Sequence, residues 1–388
     1  MHESARELPT SNIKMWDRNV MSSCELVEDR LFFVTVACKP RNSPSFHYFG
    51  VDHDWTLDGC KLFDTPYFGP SNLAGIYRFC CLVNTKLHMV PASKKIVMYT
   101  TAEDDLESTK KRTRAIFLCG AFAVCQLNMS AEEAYQAMER QFRPNSVMFY
   151  CDINGNKSHD LNILDCLKGF EKAISRGFFS FEDFDLNRYE EDEKAFDSNW
   201  IVPGKILAMS DPQRRNEVKA SRFAKLRKHF RQNGVKTVVR LNRDDNMIKY
   251  GLVYDARCFT ANGFAHSDQY FEDGGIPTKA IVKRFTRILD HCEGAVAIHC
   301  RAGLGRTGTL IACYLIKQYK FSAAEAVGWL RICRPGSVSS LQHCFLEHKQ
   351  EAIQRGYTED LTLEDLSETM RKNFNIMALA PRKDEKVA

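Results

Sequence analysis

The most constraining feature of this chain is the string Ile298-His299-Cys300-Arg301-Ala302-Gly303-Leu304-Gly305-Arg306-Thr307-Gly308. The apolar run Ala295-Val-Ala-Ile298 leads into it, and an apolar stretch runs from Thr307 through Tyr319. The string must therefore join a buried strand to a helix. In that position the backbone N–H groups of Arg301, Ala302, Gly303, Leu304, Gly305 and Arg306 can curl into an anion-binding nest, and the helix N-terminus adds positive potential at the same point. Gly303 and Gly305 allow the backbone turns and close approach that such a cradle needs, and Arg306 can grip two phosphate oxygens at once. The same field favours the thiolate of Cys300, which is the nucleophilic form. His299 is expected to order the loop through hydrogen bonds, and the Thr307 hydroxyl to stabilise the sulfur as it leaves a phosphocysteine. Guanidinium and amides supply the charge stabilisation, so this chemistry calls for no metal and no cofactor. A merely structural cysteine in a tight turn would require neither the preceding His nor the Arg-Thr-Gly that follows.

Cleaving a phosphoester needs a proton donor for the departing oxygen, best carried on a loop. Asp273, 27 residues before Cys300 in Tyr270-Phe-Glu-Asp-Gly-Gly-Ile-Pro277, is the first choice, with Pro277 expected to head the next helix. Asp268 and Glu272 compete with it. Hydrolysis of the intermediate needs a positioned water, and Gln342, past the turn Arg334-Pro-Gly-Ser337, is the best-placed amide; the alternative is a surface Gln at a helix start.

With 388 residues and 44% hydrophobic content the chain is long enough for two globular units. Short β-branched and aromatic runs at Leu31–Ala37, His47–Val51 and Lys95–Thr100 predict strands. Helical periodicity follows over Ala115–Leu127, after Ser130-Ala-Glu-Glu133 as a capping box, and over 160–177. A second α/β unit starts near Ile206. Residues 1–22 and the polar tail 357–388 carry no pattern, so the expected division is 23–178, a linker over 179–200, and 201–356. None of the 15 cysteines forms a C-x-x-C pair and no His lies near them at metal-ligand spacing, so reduced thiols in an intracellular setting are expected. Net charge is +5, from 54 basic and 49 acidic residues, too even to point to nucleic acid. No stretch reaches the length and apolarity of a membrane span, and the N-terminus carries no secretory pattern.

The string around Cys300 resembles that of protein tyrosine and dual-specificity phosphatases. Arg301-Ala-Gly-Leu-Gly-Arg-Thr-Gly-Thr-Leu-Ile-Ala-Cys-Tyr314 and Arg331-Ile-Cys-Arg-Pro-Gly-Ser-Val338 narrow the likeness to the cell-division-cycle fourteen phosphatases. Tyr67-Phe-Gly-Pro-Ser-Asn-Leu-Ala74 and Asn199-Trp-Ile-Val-Pro203 agree with it. The resemblance spans about 25–355. It implies two tandem dual-specificity-phosphatase-like domains of α/β class, each a central sheet flanked by helices, joined by a linker helix, with only the second catalytic. The absence of any Cys-x5-Arg near Val97–Glu103 agrees, making the first domain a scaffold. The resemblance further implies action on phosphoserine or phosphothreonine before proline at cyclin-dependent-kinase sites, with a basic residue downstream, and on phosphotyrosine. It also implies a role in mitotic exit, cytokinesis or cilium-related processes. The implied address is nucleus and cytoplasm, including nucleolus, centrosome, spindle or basal body.

Glu190, Glu191, Asp192 and Glu193 are the expected acidic groove for the basic residue, a solvated linker helix being the alternative. The family pattern after Ser337 usually holds two successive glutamines; here Gln342 is followed by His343. The cluster Arg214, Arg215, Lys219, Arg222, Lys225, Arg227 and Lys228 reads either as a surface for an acidic partner or as a solvated helix face. Two other readings are a phosphoinositide phosphatase, which would want cations where Ala302 and Leu304 stand, and an inactive phosphoprotein-binding scaffold, although nothing in the motif is broken.

Overall fold

The computed structural model describes residues 19–51, 56–57, 60–61, 69–101, 106–139, 161–213, 219–242 and 254–356. The tail 357–388, residues 1–18, Arg214 and Arg215 lie outside them.

Two sheets are built on one plan. In the first half, β1 (Val20–Val27) runs antiparallel to β2 (Leu31–Val36), and β6 (Lys95–Thr101) lies parallel between β2 and β3 (Phe46–Gly50), giving the order β1-β2-β6-β3. A two-stranded ribbon, β4 (Thr56–Leu57) with β5 (Cys60–Lys61), stands apart. In the second half, β7 (Ser198–Val202) runs antiparallel to β8 (Ile206–Met209). Then β11 (Ala295–His299), β9 (Val235–Arg240) and β10 (Ala265–Asp268) follow in parallel, giving β7-β8-β11-β9-β10. The mixed α/β reading with two similar sheets therefore holds. Strand β2 is buried at all six positions, as expected for a strand covered on both faces.

Helices α1 (Leu73–Met89), α2 (Leu106–Gln126), α3 (Ala131–Glu139) and α4 (Ile163–Ser175) belong to the first half, and α5 (Leu186–Phe196) is the linker helix. The Ser130 capping box forms as predicted, with Glu133 N donating to Ser130 Oγ and Ser130 N to Glu133 Oε2. The second half carries α6 (Lys219–Gln232), α7 (Arg257–Thr260), α8 (Lys279–His291), α9 (Gly305–Gln318), α10 (Ala323–Cys333) and α11 (Ser340–Gln354).

Three boundaries differ from the expectations. Strand β1 starts at Val20, inside the stretch expected to carry no structure, because its pairing with β2 orders it. Strand β7 begins at Ser198, inside the expected linker; it is a short edge strand with too few residues to show alternation. Pro277 does not head α8, since Thr278 caps that helix, accepting from Ile281 N.

The halves share one core. Helix α4 lies against α10 so closely that a Cβ on Gly169 would come 2.4 Å from Glu325 O, and one on Gly328 would come 2.8 Å from Cys166 Cα. A continuous apolar cluster runs from Phe33 and Met98 through Leu167 and Phe170 to Trp329 and Leu310. Lys172 Nζ adds a 2.5 Å ion pair to Glu325, and Trp329 Nε1 donates to Ile201 O at 3.0 Å.

Candidate active site

Strand β11 delivers Cys300 to the C-terminal edge of the second sheet, where the chain turns through 301–304 into α9. Cys300 is buried at 2% exposure. The loop's carbonyls face outward. Arg301 O accepts from Asp211 N (3.1 Å), Ala302 O from Arg334 Nη2 (2.8 Å) and Gly303 O from Arg334 Nε (2.8 Å), while Leu304 O accepts from Gly308 N (2.9 Å). With these oxygens tied back, the N–H groups are left to line the cradle. Gly303 sits at φ +70°, and a Cβ there would come 2.1 Å from Met209 O, so only glycine lets the loop pass the end of β8.

Arg306 is 3% exposed, its Nη1 donating to Phe271 O at 3.1 Å, while its Nε has no partner. The fully buried Thr307 also has an unmatched Oγ1. Two unmatched polar atoms buried beside a thiol are costly for a structural turn, and are what a site completed by an oxyanion requires.

The three competing carboxylates are separated by their neighbours. Asp273 Oδ1 lies 3.3 Å from Arg306 Nη2 with its side chain 69% exposed, so it faces the cradle mouth. Asp268 is instead bound in a fork by Arg240, Nε to Oδ1 at 2.6 Å and Nη2 to Oδ2 at 3.2 Å. Glu272 points into solvent.

His299 is fully buried, and burial lowers its pKa, keeping the ring neutral. Its Nδ1 lies 3.1 Å from Cys300 O and therefore carries the proton, which makes Nε2 the acceptor of the Tyr254 hydroxyl at 2.8 Å. The Tyr254 oxygen then accepts from His266 Nε2 at 2.9 Å, and the Arg240 guanidinium stacks 4.3 Å from the Tyr254 ring. This chain of bonds fixes the residue ahead of the thiol.

Gln342 is buried, not a surface residue. Its Oε1 accepts from Ser339 N and Oγ (3.0 Å each), closing the capping box of α11, and its Nε2 donates to Gly275 O at 2.9 Å. A Cβ on Gly305 would come 2.9 Å from its Oε1, so the amide touches both the cradle and the loop that carries Asp273. His343 is also buried, with Nε2 3.4 Å from Glu347 Oε1.

The four carboxylates of α5 do not form one cluster, because successive residues step about 100° around a helix. Glu190 pairs with Arg78 of the first half. Glu193 is raised by burial, opposed by the nearby Arg334. Asp192 turns towards His229, and Glu191 points into solvent. The basic stretch is equally divided: Arg222 is buried, Arg227 donates to Cys258 O at 3.1 Å, and Lys225 and Lys228 are exposed.

Arg334 was visible in the sequence only as part of a turn. It also donates to Asp197 Oδ1 (2.8 Å), Asp197 O (3.0 Å) and Asn199 Oδ1 (2.7 Å), so a single guanidinium holds the cradle to the strand that follows the linker. No local pattern announces a buried arginine whose partners are carbonyls more than 30 residues away.

Comparison with known proteins bears on the whole arrangement. Residues 25–173 match the family model described as the N-terminal half of dual specificity protein phosphatases, and 208–320 match one described as a polymorphic toxin system DSP-PTPase phosphatase. Dual specificity protein phosphatase CDC14C of Homo sapiens is 38% identical over 333 residues, 84% of this chain and 71% of that protein. The chain belongs to the CDC14 family of dual specificity protein phosphatases. Within that family, CDC14A of Mus musculus is 41% identical over 340 residues, 86% of this chain and 54% of that protein, and the CDC14 homologue of Schizosaccharomyces pombe is 31% identical over 346 residues, 84% and 60%. The chain thus spans about half the length of the mouse CDC14 relative. Among the described residues no helix is long and apolar enough to cross a membrane.

Proposed function

We propose that this chain is a cysteine-dependent protein phosphatase acting on phosphoserine, phosphothreonine and phosphotyrosine through a phosphocysteine intermediate. The observation that carries the reading is the buried Arg306, its Nε unmatched, at the end of the loop that begins at Cys300 and 3.3 Å from the exposed Asp273. In the first step Cys300 Sγ attacks phosphorus, the ester P–O bond breaks, and Asp273 gives its proton to the departing oxygen. Arg306 and the amides of 301–306 hold the three equatorial oxygens as charge develops. In the second step water attacks phosphorus, Asp273 takes its proton, and the S–P bond breaks to release inorganic phosphate and the thiolate. Thr307 stabilises that thiolate. Gln342 positions the water from the place where cradle and Asp273 loop meet.

For substrate choice, Glu190 and Glu193 remain the acidic pair that would meet a basic residue downstream of phosphoserine-proline, while Asp192 and Glu191 point elsewhere. Family membership supports a role in cell-cycle control, with dephosphorylation of cyclin-dependent-kinase sites as the chemistry.

Purified chain should hydrolyse an aryl phosphate and a phosphoserine-proline peptide, and Cys300→Ser should abolish both while still retaining the peptide in a pull-down. Wild-type turnover by Cys300→Ser would end the proposal. Reversing Glu190 and Glu193 to Lys should slow only peptides with a downstream Lys or Arg; equal slowing of peptides without one removes the pair from substrate choice.

A further inference from the structure

Helices α1 and α2 of the first half meet along a seam that holds two thiols. Phe79 on α1 packs edge-on against Phe122 on α2, with ring centroids 6.3 Å apart. Farther along both helices, Asn84 Nδ2 donates to Gln126 Oε1 at 2.8 Å. Between these two contacts stand Cys80 on α1 and Cys125 on α2, and their side chains hydrogen-bond to each other. Both are free thiols, and the chemistry at Cys300 uses neither.

The two thiols are not equivalent. Cys80 is fully buried and its S–H is the donor in the shared bond; that bond, together with burial, raises its pKa. Cys125 is only partly buried. It accepts the bond from Cys80 and a second from Gln126 Nε2 at 3.4 Å, so its pKa is lowered although burial opposes this. The Gln126 amide that supports the Cys125 sulfur is itself pinned to α1 by Asn84, so the pair is held from both helices. A favoured thiolate within reach of solvent, beside a thiol that solvent does not reach, is the arrangement of an attacking cysteine and its resolving partner.

We propose that Cys80 and Cys125 are a redox modification site, forming a reversible disulfide that staples α1 to α2 when the chain meets hydrogen peroxide. The Cys125 thiolate attacks one peroxide oxygen, the O–O bond breaks, and the departing hydroxide takes up a proton to become water, leaving Cys125 as a sulfenic acid. The Cys80 sulfur then attacks the Cys125 sulfur, the S–O bond breaks, and the hydroxide leaves with the Cys80 proton as a second water. The two sulfurs together lose two electrons and the peroxide gains them. A thiol reductant reverses the step by exchange. Helix α1 also carries Tyr77, whose ring lies 5.0 Å from Phe181 and 5.3 Å from Phe184, and Arg78, which pairs with Glu190. The staple therefore fixes the helix against which the linker rests.

The test exposes the full chain to hydrogen peroxide, blocks the remaining thiols with N-ethylmaleimide, and maps tryptic peptides by mass spectrometry without reduction. Trypsin cuts after Arg78, Lys86, Arg114 and Arg140, so the disulfide should appear as peptide 79–86 joined to peptide 115–140, two hydrogens lighter than their sum. Fragmentation should place the bond between Cys80 and Cys125, since Cys81 and Cys119 lie in the same two peptides. Cys125→Ser should lower the yield of the linked species at least about tenfold, Cys81→Ser and Cys119→Ser should leave it unchanged, and dithiothreitol should abolish it. Oxidation of other thiols without this link overturns the proposal, as does a link that survives Cys125→Ser or runs through Cys81 or Cys119. Should Cys125→Ser fail to fold, the wild-type chain decides: limiting iodoacetamide should modify Cys125 at least about tenfold faster than Cys80 or Cys119, and equal rates overturn the assignment. No phosphate ester is used, so a chain inactive as a phosphatase leaves this test standing.

Discussion

The centres of the two sheets can be set side by side. In each half an antiparallel pair at one edge leads to a parallel central strand, β6 in the first and β11 in the second, followed by a long helix, α2 or α9. Beyond β11 the chain holds Cys300 and Arg306 among outward-turned carbonyls. Near the end of β6 stand Thr100, buried with an unmatched Oγ1, and Thr101, whose carbonyl accepts from Arg112 Nη1 at 3.4 Å. The topology that aims a strand end at a helix N-terminus is present twice, but the thiol and the clamp are present once. Architecture supplies the place, and residues supply the chemistry.

The largest test of this difference removes the clamp. Arg306→Met should lower kcat/KM for an aryl phosphate by about 10³-fold, in line with losing a fixed donor from an anion site. Thr100→Val, at the corresponding end of β6, should leave it within about twofold; a large loss there would mean the first sheet takes part in catalysis. Next in size, Asp273→Asn should slow a serine phosphate about 10²-fold and an activated aryl phosphate far less, because only the poor leaving group needs the proton. Equal slowing of both would move the acid role elsewhere, Glu272 being the next carboxylate to examine.

A smaller effect is expected where the halves meet. Gly328→Val forces a side chain against Cys166 and should destabilise by about 1–3 kcal/mol, read as a lower midpoint in urea with kcat retained at low temperature. The smallest concerns Asp192. Its carboxyl is pushed up to about 6 in the folded chain, above the unfolded value, so the folded state binds the proton more tightly and stability is lost as pH rises from about 4 to about 6, the full cost of the ionised form applying above that. Asp192→Asn should therefore raise Tm at pH 7.5, with the gain shrinking as pH falls towards 4. A gain that is the same at both pH values would show that the carboxylate's charge is not the cause.

The cradle was legible because its residues are contiguous: strand, Cys300, two glycines and Arg306 can be read in one pass. Strands 31–36, 46–50 and 95–101 were legible as well, since β-branched and aromatic runs cut by Gly and Pro have few other readings. What was not legible depends on distant partners. Asp268 and Asp273 look alike in sequence, and only Arg240, reaching across from β9, ties up the first. Arg334 acts on carbonyls brought near by the fold. The acidic run of α5 suggests a single patch because its residues are adjacent in sequence, but a helix turns successive residues to different faces. Gln342 at a helix start gave no sign of being buried, because the groups that bury it, Gly305 and Gly275, come from two other segments.

The paired glycines at the contact of α4 and α10 have one more implication. Side chains are absent there so that two backbones can touch, and the surrounding apolar surface passes from one half to the other without a polar boundary. The half with no Cys-x5-Arg string after its central strand is thus joined to the other through shared core, and the two are expected to unfold as one cooperative unit. Cut between the halves, the second would expose the greasy flank of α10 and precipitate before its chemistry could be assayed; left whole, the two should melt together in a single calorimetric transition.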